Sequence, residues 1–208
     1  MTIPQALQEY LDKRDFSKSP EPKGKESGGE GQAVFVIHKH DASNLHYDLR
    51  IQAGETLKSW AVPKGPSTDP SEKRLAVPTE DHPLEYAEFE GIIPEEEYGG
   101  GTTLVWDAGT YVNLKKGEDN EEVPLEDQIE DGHLTVWLNG EKLHGGYALT
   151  RTSQGDDERW LLVKMDDDEA DARRNPVSTE PDSVLSGRSL EEIEDTGGSE
   201  ENEKGVEE

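Results

Sequence analysis

The sequence predicts a mainly β protein: a compact closed β-barrel with short helices and a flexible acidic C-terminal tail. Three observations carry that expectation. Short runs rich in Val, Ile, Leu, Thr and Trp recur between Ala33 and Met165, separated by Gly, Pro, Asn and Asp turn signals. The tryptophans Trp60, Trp106, Trp137 and Trp160 all fall within such runs, where they are expected to pack a common core. Composition changes at both flanks, dividing the chain into an N-terminal helix and flexible arm (1–32), a barrel (33–165) and an acidic, largely disordered tail (166–208).

Residues Thr2 to Leu11 read as a short helix. Thr2 and Gln5 suit a capping box, Pro4 suits a first turn, and Ile3, Ala6, Leu7, Tyr10 and Leu11 follow helical spacing. From Ser17 to Gln32 the Ser, Pro, Gly, Lys and Glu content marks a flexible connector. Strands are expected at Val34 to Ile37, Leu45 to Ile51, Leu57 to Val62, Thr102 to Trp106, His133 to Leu138, Gly146 to Thr150 and Trp160 to Lys164. Lys64-Gly65-Pro66, Asp107-Ala108-Gly109 and Asn139-Gly140 punctuate them and argue for antiparallel pairing. From Asp166 onward, sixteen acidic and four basic residues leave too little apolar surface to offset ordering entropy, with Ser189 to Glu194 a transient helical turn.

The net charge of −27 is extreme. Self-repulsion at that level disfavours a compact state in dilute salt, but at about 1 M salt the Debye length falls to roughly 3 Å, so a halophilic source is expected. A wholly disordered acidic protein fits the flanks and not the apolar middle. The absence of Cys excludes disulfide scaffolds and thiolate metal sites and leaves His, Asp and Glu as metal ligands. No apolar run approaches a membrane span, and Met1-Thr2-Ile3-Pro4 lacks a basic region followed by an apolar core, so the expectation is a soluble, cytoplasmic monomer without a membrane partner.

The chemistry concentrates between His40 and Arg50. In an extended segment His46, Asp48 and Arg50 share one face, while Leu45, Tyr47, Leu49 and Ile51 share the other. An imidazole and a carboxylate two residues apart grip one divalent cation, the arginine holds an anion beside it, and His40, across the Ala-Ser-Asn turn, closes the ligand set. This points to a metal-dependent enzyme acting on a phosphate ester. The plainer reading is a half-buried antiparallel strand, since His-x-Asp alone is a weak pattern; Arg50 and the later Asp81-His82 weigh against it. In Glu80 to Tyr86, Pro83 restricts His82 to extended geometry, and Tyr86 returns to the same side only across a turn or short helix. Lys64 and Arg74 would join Arg50 in an anion site among scarce cations, or be solvated loop charges if read alone. The glycine-rich Glu90 to Gly101 lacks the Gly-Lys-Ser/Thr ending of a nucleotide loop and reads as a turn with close backbone packing.

These motifs carry a resemblance. His-Asp-Ala-Ser-Asn-Leu-His-Tyr-Asp-Leu-Arg at 40–50, Leu-Lys-Ser-Trp-Ala-Val-Pro-Lys-Gly-Pro at 57–66, Glu-Asp-His-Pro-Leu-Glu-Tyr at 80–86, and Glu-Tyr-Gly-Gly-Gly at 97–101 with Val-Trp-Asp-Ala-Gly-Thr at 105–110 resemble the 3′-phosphoesterase domain of DNA ligase D. The likeness extends to Lys13-Arg14-Asp15-Phe16-Ser17 and Pro20-Glu21-Pro22 and, more weakly, to Trp160–Lys164. It implies a β-barrel enzyme that cleans DNA 3′ ends in non-homologous end joining, removing a terminal ribonucleoside from a primer strand and then the remaining 3′-phosphate to leave a hydroxyl. It further implies metal ligands at His40, His46 and Asp48, and manganese as the typical ion. Arg50, His82 and Tyr86 would engage the scissile phosphate, Lys64 and Arg74 would line the site, and Arg14, Asp15 and Glu21 would form an N-terminal accessory set. Polymerase and ligase motifs are lacking, so a stand-alone module relying on a separate polymerase and ligase is expected.

Two imidazoles and a carboxylate suit Mn, Fe, Co or Zn alike, so manganese rests on the resemblance. His82 is expected either to donate a proton or to stabilise the transition state, because an unperturbed imidazole titrates near working pH. So acidic a chain gains little from nonspecific phosphate attraction; binding is expected to be local, metal-dependent and confined to the strand end. Two rivals remain. A nonhaem iron/2-oxoglutarate oxygenase would use His46, Asp48, His144 and Arg151, and a noncatalytic DNA-end-binding repair module would keep the barrel without turnover. His133 and His144 otherwise read as surface residues.

Overall fold

The computed structural model describes residues 4–24 and 33–197. Its strands are β1 (Val34–Asp41), β2 (Leu45–Ala53), β3 (Thr56–Val62), β4 (Lys73–Pro83), β5 (Gly91–Ile93), β6 (Gly101–Asn113), β7 (His133–Gly140), β8 (His144–Ser153) and β9 (Arg159–Lys164). All pairings are antiparallel, in the order β1-β2-β3-β4-β9-β8-β7-β6, and a β1–β6 pairing closes the barrel. Short β5 adds to the start of β6, at Gly101 to Thr103. Closure removes the free edges that an open sheet would expose. Among the described residues no helix is long and apolar enough to cross a membrane.

Alternation along the strands builds two apolar layers. Phe35, Ile37, Tyr47, Leu49, Ile51, Trp60 and Trp106 fill the barrel interior. Val36, Leu57 and Val105, of opposite parity on β1, β3 and β6, meet Tyr10 and Tyr86 in a second cluster outside it. Tyr10 belongs to the helix α1 (Gln8–Asp12), which follows a 3-10 turn at Gln5–Leu7, and Tyr86 to the 3-10 turn Leu84–Glu88. The outer face of β1 to β4 is thus roofed by the N-terminal helix and this turn, and the polar side chains of that face lie between them.

Each expected strand is present, and two were missed. β4 is rich in charge and carries Pro78 and Pro83, which lowers any strand reading. It tolerates Pro78 because residues 73–76 pair with β9 and residues 77–83 with β3, so that each stretch has one open side. Three tryptophans are core residues: Trp60 and Trp160 meet edge to face at 5.7 Å and Trp106 meets Tyr47 at 5.3 Å. Trp137 is half-exposed on β7 and is not part of the common core expected for it.

The flanks also depart from expectation. The helix has no side-chain cap at Pro4, and the expected capping residue Thr2 lies outside the described residues. The connector expected from Ser17 is ordered through Gly24: Ser19 Oγ donates to Glu21 Oε2 at 2.7 Å and the Tyr10 hydroxyl donates to the Pro22 carbonyl at 2.7 Å. Residues 25–32 lie outside the described residues. The segment 166–197, expected to be largely disordered, packs on the barrel; residues 198–208 lie outside the described residues. Trp106 Nε1 donates to the Glu180 carbonyl at 2.8 Å, Val184 N to Val105 O at 2.9 Å and Asp171 N to Thr68 O at 3.0 Å. Helices α2 (Pro176–Thr179) and α3 (Leu190–Asp195) bring Val177, Leu190 and fully buried Ile193 to the interior core, and Ser189 forms a capping box with Glu192. Bulk composition misses this because a few correctly placed apolar residues and satisfied backbone groups decide docking.

Ile193→Ala is expected to lower unfolding free energy by about 2–5 kcal/mol, the cost of emptying a core aliphatic site. Urea denaturation checks it; unchanged stability would mean that the segment carries no packing energy.

Candidate active site

The outer faces of β1 and β2 place His40 opposite His46, and Asp48 one alternation further along β2. One ligand atom from each of His40, His46 and Asp48 lies within 4.8 Å of the others. His46 Nε2 is 3.4 Å from Asp48 Oδ1 and His40 Nδ1 is 3.6 Å from Asp48 Oδ2. The His46 Nδ1–H donates to the Asn44 carbonyl at 2.9 Å, which fixes the tautomer and leaves the Nε2 lone pair toward the aspartate. His40 Nε2 is buried without a hydrogen-bond partner. An orphaned imidazole nitrogen, a tautomer set by a backbone carbonyl and a buried carboxylate form a nitrogen/oxygen donor set that fits a divalent transition metal. Burial opposes ionisation of Asp48, but the Arg50 guanidinium beside it outweighs burial and holds the carboxyl well below the usual carboxylate range.

Arg50 continues that face and is buried. Its Nη2 donates to Asp48 Oδ2 at 3.2 Å, Nη1 to Ser59 Oγ at 2.9 Å, and Nε to His38 Nδ1 at 3.2 Å. Its guanidinium carbon lies 4.8 Å from the centre of the Tyr86 ring. Of the two Nη2 hydrogens, one has no acceptor among the described residues. That hydrogen sits beside the candidate metal ligands, where a phosphate oxygen would accept it.

His82 Nδ1 lies 3.0 Å from Arg50 Nη1 and 2.9 Å from the Glu80 carbonyl, and its Nε2 lies 3.4 Å from Arg14 Nη2. In either tautomer one lone pair faces a guanidinium. Burial first, then Arg50 and Arg14, hold its pKa well below the ordinary imidazole value. This corrects the expected titration near working pH: His82 is a neutral acceptor. His38, unremarked in the sequence although it shares the parity of His40, is likewise neutral, pushed down to about 3 by complete burial and then by Arg50. Tyr86 folds back through its 3-10 turn as the spacing required, but its hydroxyl donates to Glu21 Oε1 at 3.0 Å. What it presents to the site is its ring, 4.6 Å from that of His82.

The N-terminal segment closes the network. Arg14 Nε donates to Glu21 Oε1 at 2.9 Å and its Nη1 to Glu80 Oε1 at 3.0 Å, with its guanidinium carbon 3.9 Å from the centre of the Tyr10 ring. Burial and then Glu21 act in opposition on Arg14, and the carboxylate prevails, raising its pKa. Glu80 and Ser59 were each legible only as part of a motif, with no role attached. Three expected members stand apart. Asp15 is exposed and accepts from Ser17 N and Oγ in a local turn. Arg74 pairs with Glu72 at 2.7 Å and has the parity of core residue Ala76, the face opposite the site. Lys64 is exposed just past β3, whose register sets Ala61 opposite Asp48 and Val62 opposite Tyr47, and so continues toward the His46 end of β2. The oxygenase ligand set is not assembled. His144 begins β8, separated from β2 by β3, β4 and β9, and Arg151 turns to the Ile129 and Glu130 carbonyls.

A small closed barrel bearing two imidazoles, one carboxylate and a buried guanidinium on its roofed outer face has the parts of a metal-assisted phosphoesterase. Residues 38–151 match the DNA Ligase D 3′-phosphoesterase domain, and the chain belongs to that family. It is 48% identical over 189 residues to the multifunctional non-homologous end joining protein LigD of Pseudomonas aeruginosa, covering 88% of this chain and 22% of that protein. It is 44% identical over 161 residues to the LigD repair protein of Mycobacterium tuberculosis, covering 76% and 20%. It is also 44% identical over 169 residues to LigD of Mycolicibacterium smegmatis, covering 79% and 21%. The chain thus spans about a fifth of the length of these curated relatives.

Arg14→Ala would leave buried Glu21 and Glu80 without their shared cation and is expected to cost about 3–5 kcal/mol, read as a lowered Tm. Acid should weaken the fold through His38 and His82. Unfolded imidazoles take up protons near 6.5 and the folded ones only well below it, so stability present above that pH is lost as pH falls. Melting of the metal-free protein between pH 7 and 5 checks this, and His38→Asn should flatten the dependence.

Proposed function

We propose that the chain is a metal-dependent 3′-end-processing phosphoesterase of non-homologous end joining. It removes a 3′-terminal ribonucleoside from a DNA primer strand and hydrolyses the remaining 3′-phosphate to a hydroxyl, working in the cytoplasm with the polymerase and ligase activities of end joining. The observation that carries this reading is the Arg50 guanidinium held against the carboxylate of the His40, His46 and Asp48 cluster, with one Nη2 hydrogen unspent. Manganese is the proposed ion; bound by those three residues, it would supply Lewis-acid neutralisation of a phosphate oxygen. Arg50 donates to the same phosphate as negative charge builds on its oxygens, in a setting too dry for water to screen the interaction. Neutral His82 and the Tyr86 ring fix the guanidinium plane, so no reorganisation is required at the moment of reaction. Their part is positioning, with the phosphate contact left to Arg50. Lys64, exposed where the chain leaves β3 toward the His46 end of β2, serves flanking phosphates; Arg74, turned toward Glu72, is not given that role.

A primer ending in a ribonucleotide or a 3′-phosphate, incubated with manganese at high salt, is the direct assay. Chelation should abolish turnover, Arg50→Ala should lower kcat/KM by about 10²–10³-fold, and His40→Ala should abolish both cleavage and manganese uptake while circular dichroism remains that of the wild type. Tight binding of the ends by the wild type without turnover would leave the noncatalytic end-binding module; undiminished cleavage in both variants would discard the site.

A further inference from the structure

Tyr98 stands out at the edge of the site. It is 47% exposed, among the most exposed of the large apolar and aromatic side chains described, yet it is anchored. Its hydroxyl lies 3.4 Å from Glu80 Oε2 and 3.4 Å from Lys13 Nζ. Lys13 Nζ sits 4.6 Å from the ring centre and the Arg14 guanidinium carbon 5.5 Å from it. The loop that carries it is tight: Glu97 N donates to Pro94 O at 2.9 Å and Gly100 N to Glu97 O at 3.0 Å, while Gly99 has a φ of +76°. A Cβ added at Gly99 would stand 3.9 Å from His40 Cε1, so the residue next to Tyr98 abuts a candidate metal ligand. Gly101 packs its α-carbon against the Asp41 carbonyl, where a Cβ would come within 2.1 Å, and so pins the loop to the end of β1.

We propose that the exposed face of Tyr98 is the platform on which the terminal nucleobase of the processed strand stacks. This rests on the phosphoesterase reading and names what holds the nucleoside while Arg50 holds the phosphate. An aromatic ring with low side-chain entropy, orientation fixed by its hydroxyl and two cations beside it is suited to a π-faced ligand. Stacking also answers a problem of charge: a chain of net charge −27 gains little from long-range attraction to a polyanion, and stacking is short-ranged and unaffected by salt screening. Because every base has a π-face, the platform selects an end that carries a base over one that lacks it, without choosing among bases.

The test compares kcat/KM for two manganese-supported substrates, a strand ending in a 3′-phosphorylated nucleotide and the same strand with an abasic 3′-phosphorylated end. The wild type should prefer the base-bearing end. Tyr98→Leu should reduce that preference by about tenfold or more, and Tyr98→Phe should restore it. In parallel, a strand with 2-aminopurine at its 3′ end should lose fluorescence on binding to the wild type and to Tyr98→Phe, and much less on binding to Tyr98→Leu. A preference ratio that is the same in the leucine variant and the wild type, with both enzymes active, overturns the platform and leaves the phosphoesterase reading standing. Absence of turnover in the wild type overturns both.

Discussion

The arrangement turns on one buried cation. Arg50 has left water, and an uncompensated guanidinium in that position would cost several kcal/mol. Its surroundings meet the demand almost completely: a carboxylate at Nη2, a hydroxyl at Nη1, neutral imidazole nitrogens at Nε and Nη1, and an aromatic face beneath. Each partner comes from a different strand or turn: His38 on β1, Asp48 on β2, Ser59 on β3, His82 on β4 and Tyr86 on the turn after it. Aligning all five requires the register of four adjacent strands. The guanidinium therefore reports on the whole roofed half of the barrel, and a one-residue slip in any pairing would remove a partner from that face.

The neutrality of His38 and His82 follows from the same cation. Two guanidiniums, Arg14 and Arg50, flank the His82 ring, and a proton there would add a third positive charge to a site with little water to screen it. The N-terminal segment supplies the counterbalance: Arg14 is held between Glu21 and Glu80, and Glu21 also takes the Tyr86 hydroxyl. Helix α1 and the residues after it are thus part of the site's electrostatics although they contribute none of the candidate metal ligands. A network in which nearly every polar group is paired favours a single conformation, which is the condition for holding a donor in place before charge develops on a substrate.

Much of this was legible from β2 alone. The alternation of His46, Asp48 and Arg50 with Tyr47, Leu49 and Ile51 encodes both the strand and its two faces, because a period of two is a direct consequence of the pleat. The 3-10 return of Tyr86 was legible because Pro83 restricts its neighbour. What spacing could not encode was environment. That Tyr86 would spend its hydroxyl on Glu21, that His82 would lose its ordinary titration, and that Asp15 would turn outward all depend on contacts 32 or more residues apart, or on their lack. β4 was hidden by its prolines. The acidic segment was misread for the opposite reason, since sixteen acidic residues dominate any average while the docking is done by Ile193, Leu190, Val177 and a handful of backbone bonds.

The charge distribution has a functional corollary. A protein this acidic has a mean field that repels a polyanion, so attraction to the proposed DNA end must arise where the field is locally reversed and the distance is short. Buried Arg50 and Arg14 supply positive charge that solvent ions cannot easily neutralise, but each is largely balanced by its own carboxylates. Net attraction would therefore depend on a divalent cation placed at His40, His46 and Asp48, which would tip a near-neutral cluster to positive. Such a site would discriminate by position: a terminal phosphate that reaches into it gains the interaction, and an internal phosphate a few ångströms away on the acidic surface does not. On this argument the surface charge sharpens end selectivity, because it suppresses every mode of binding except the one that brings a strand terminus under the roof of β1 to β4.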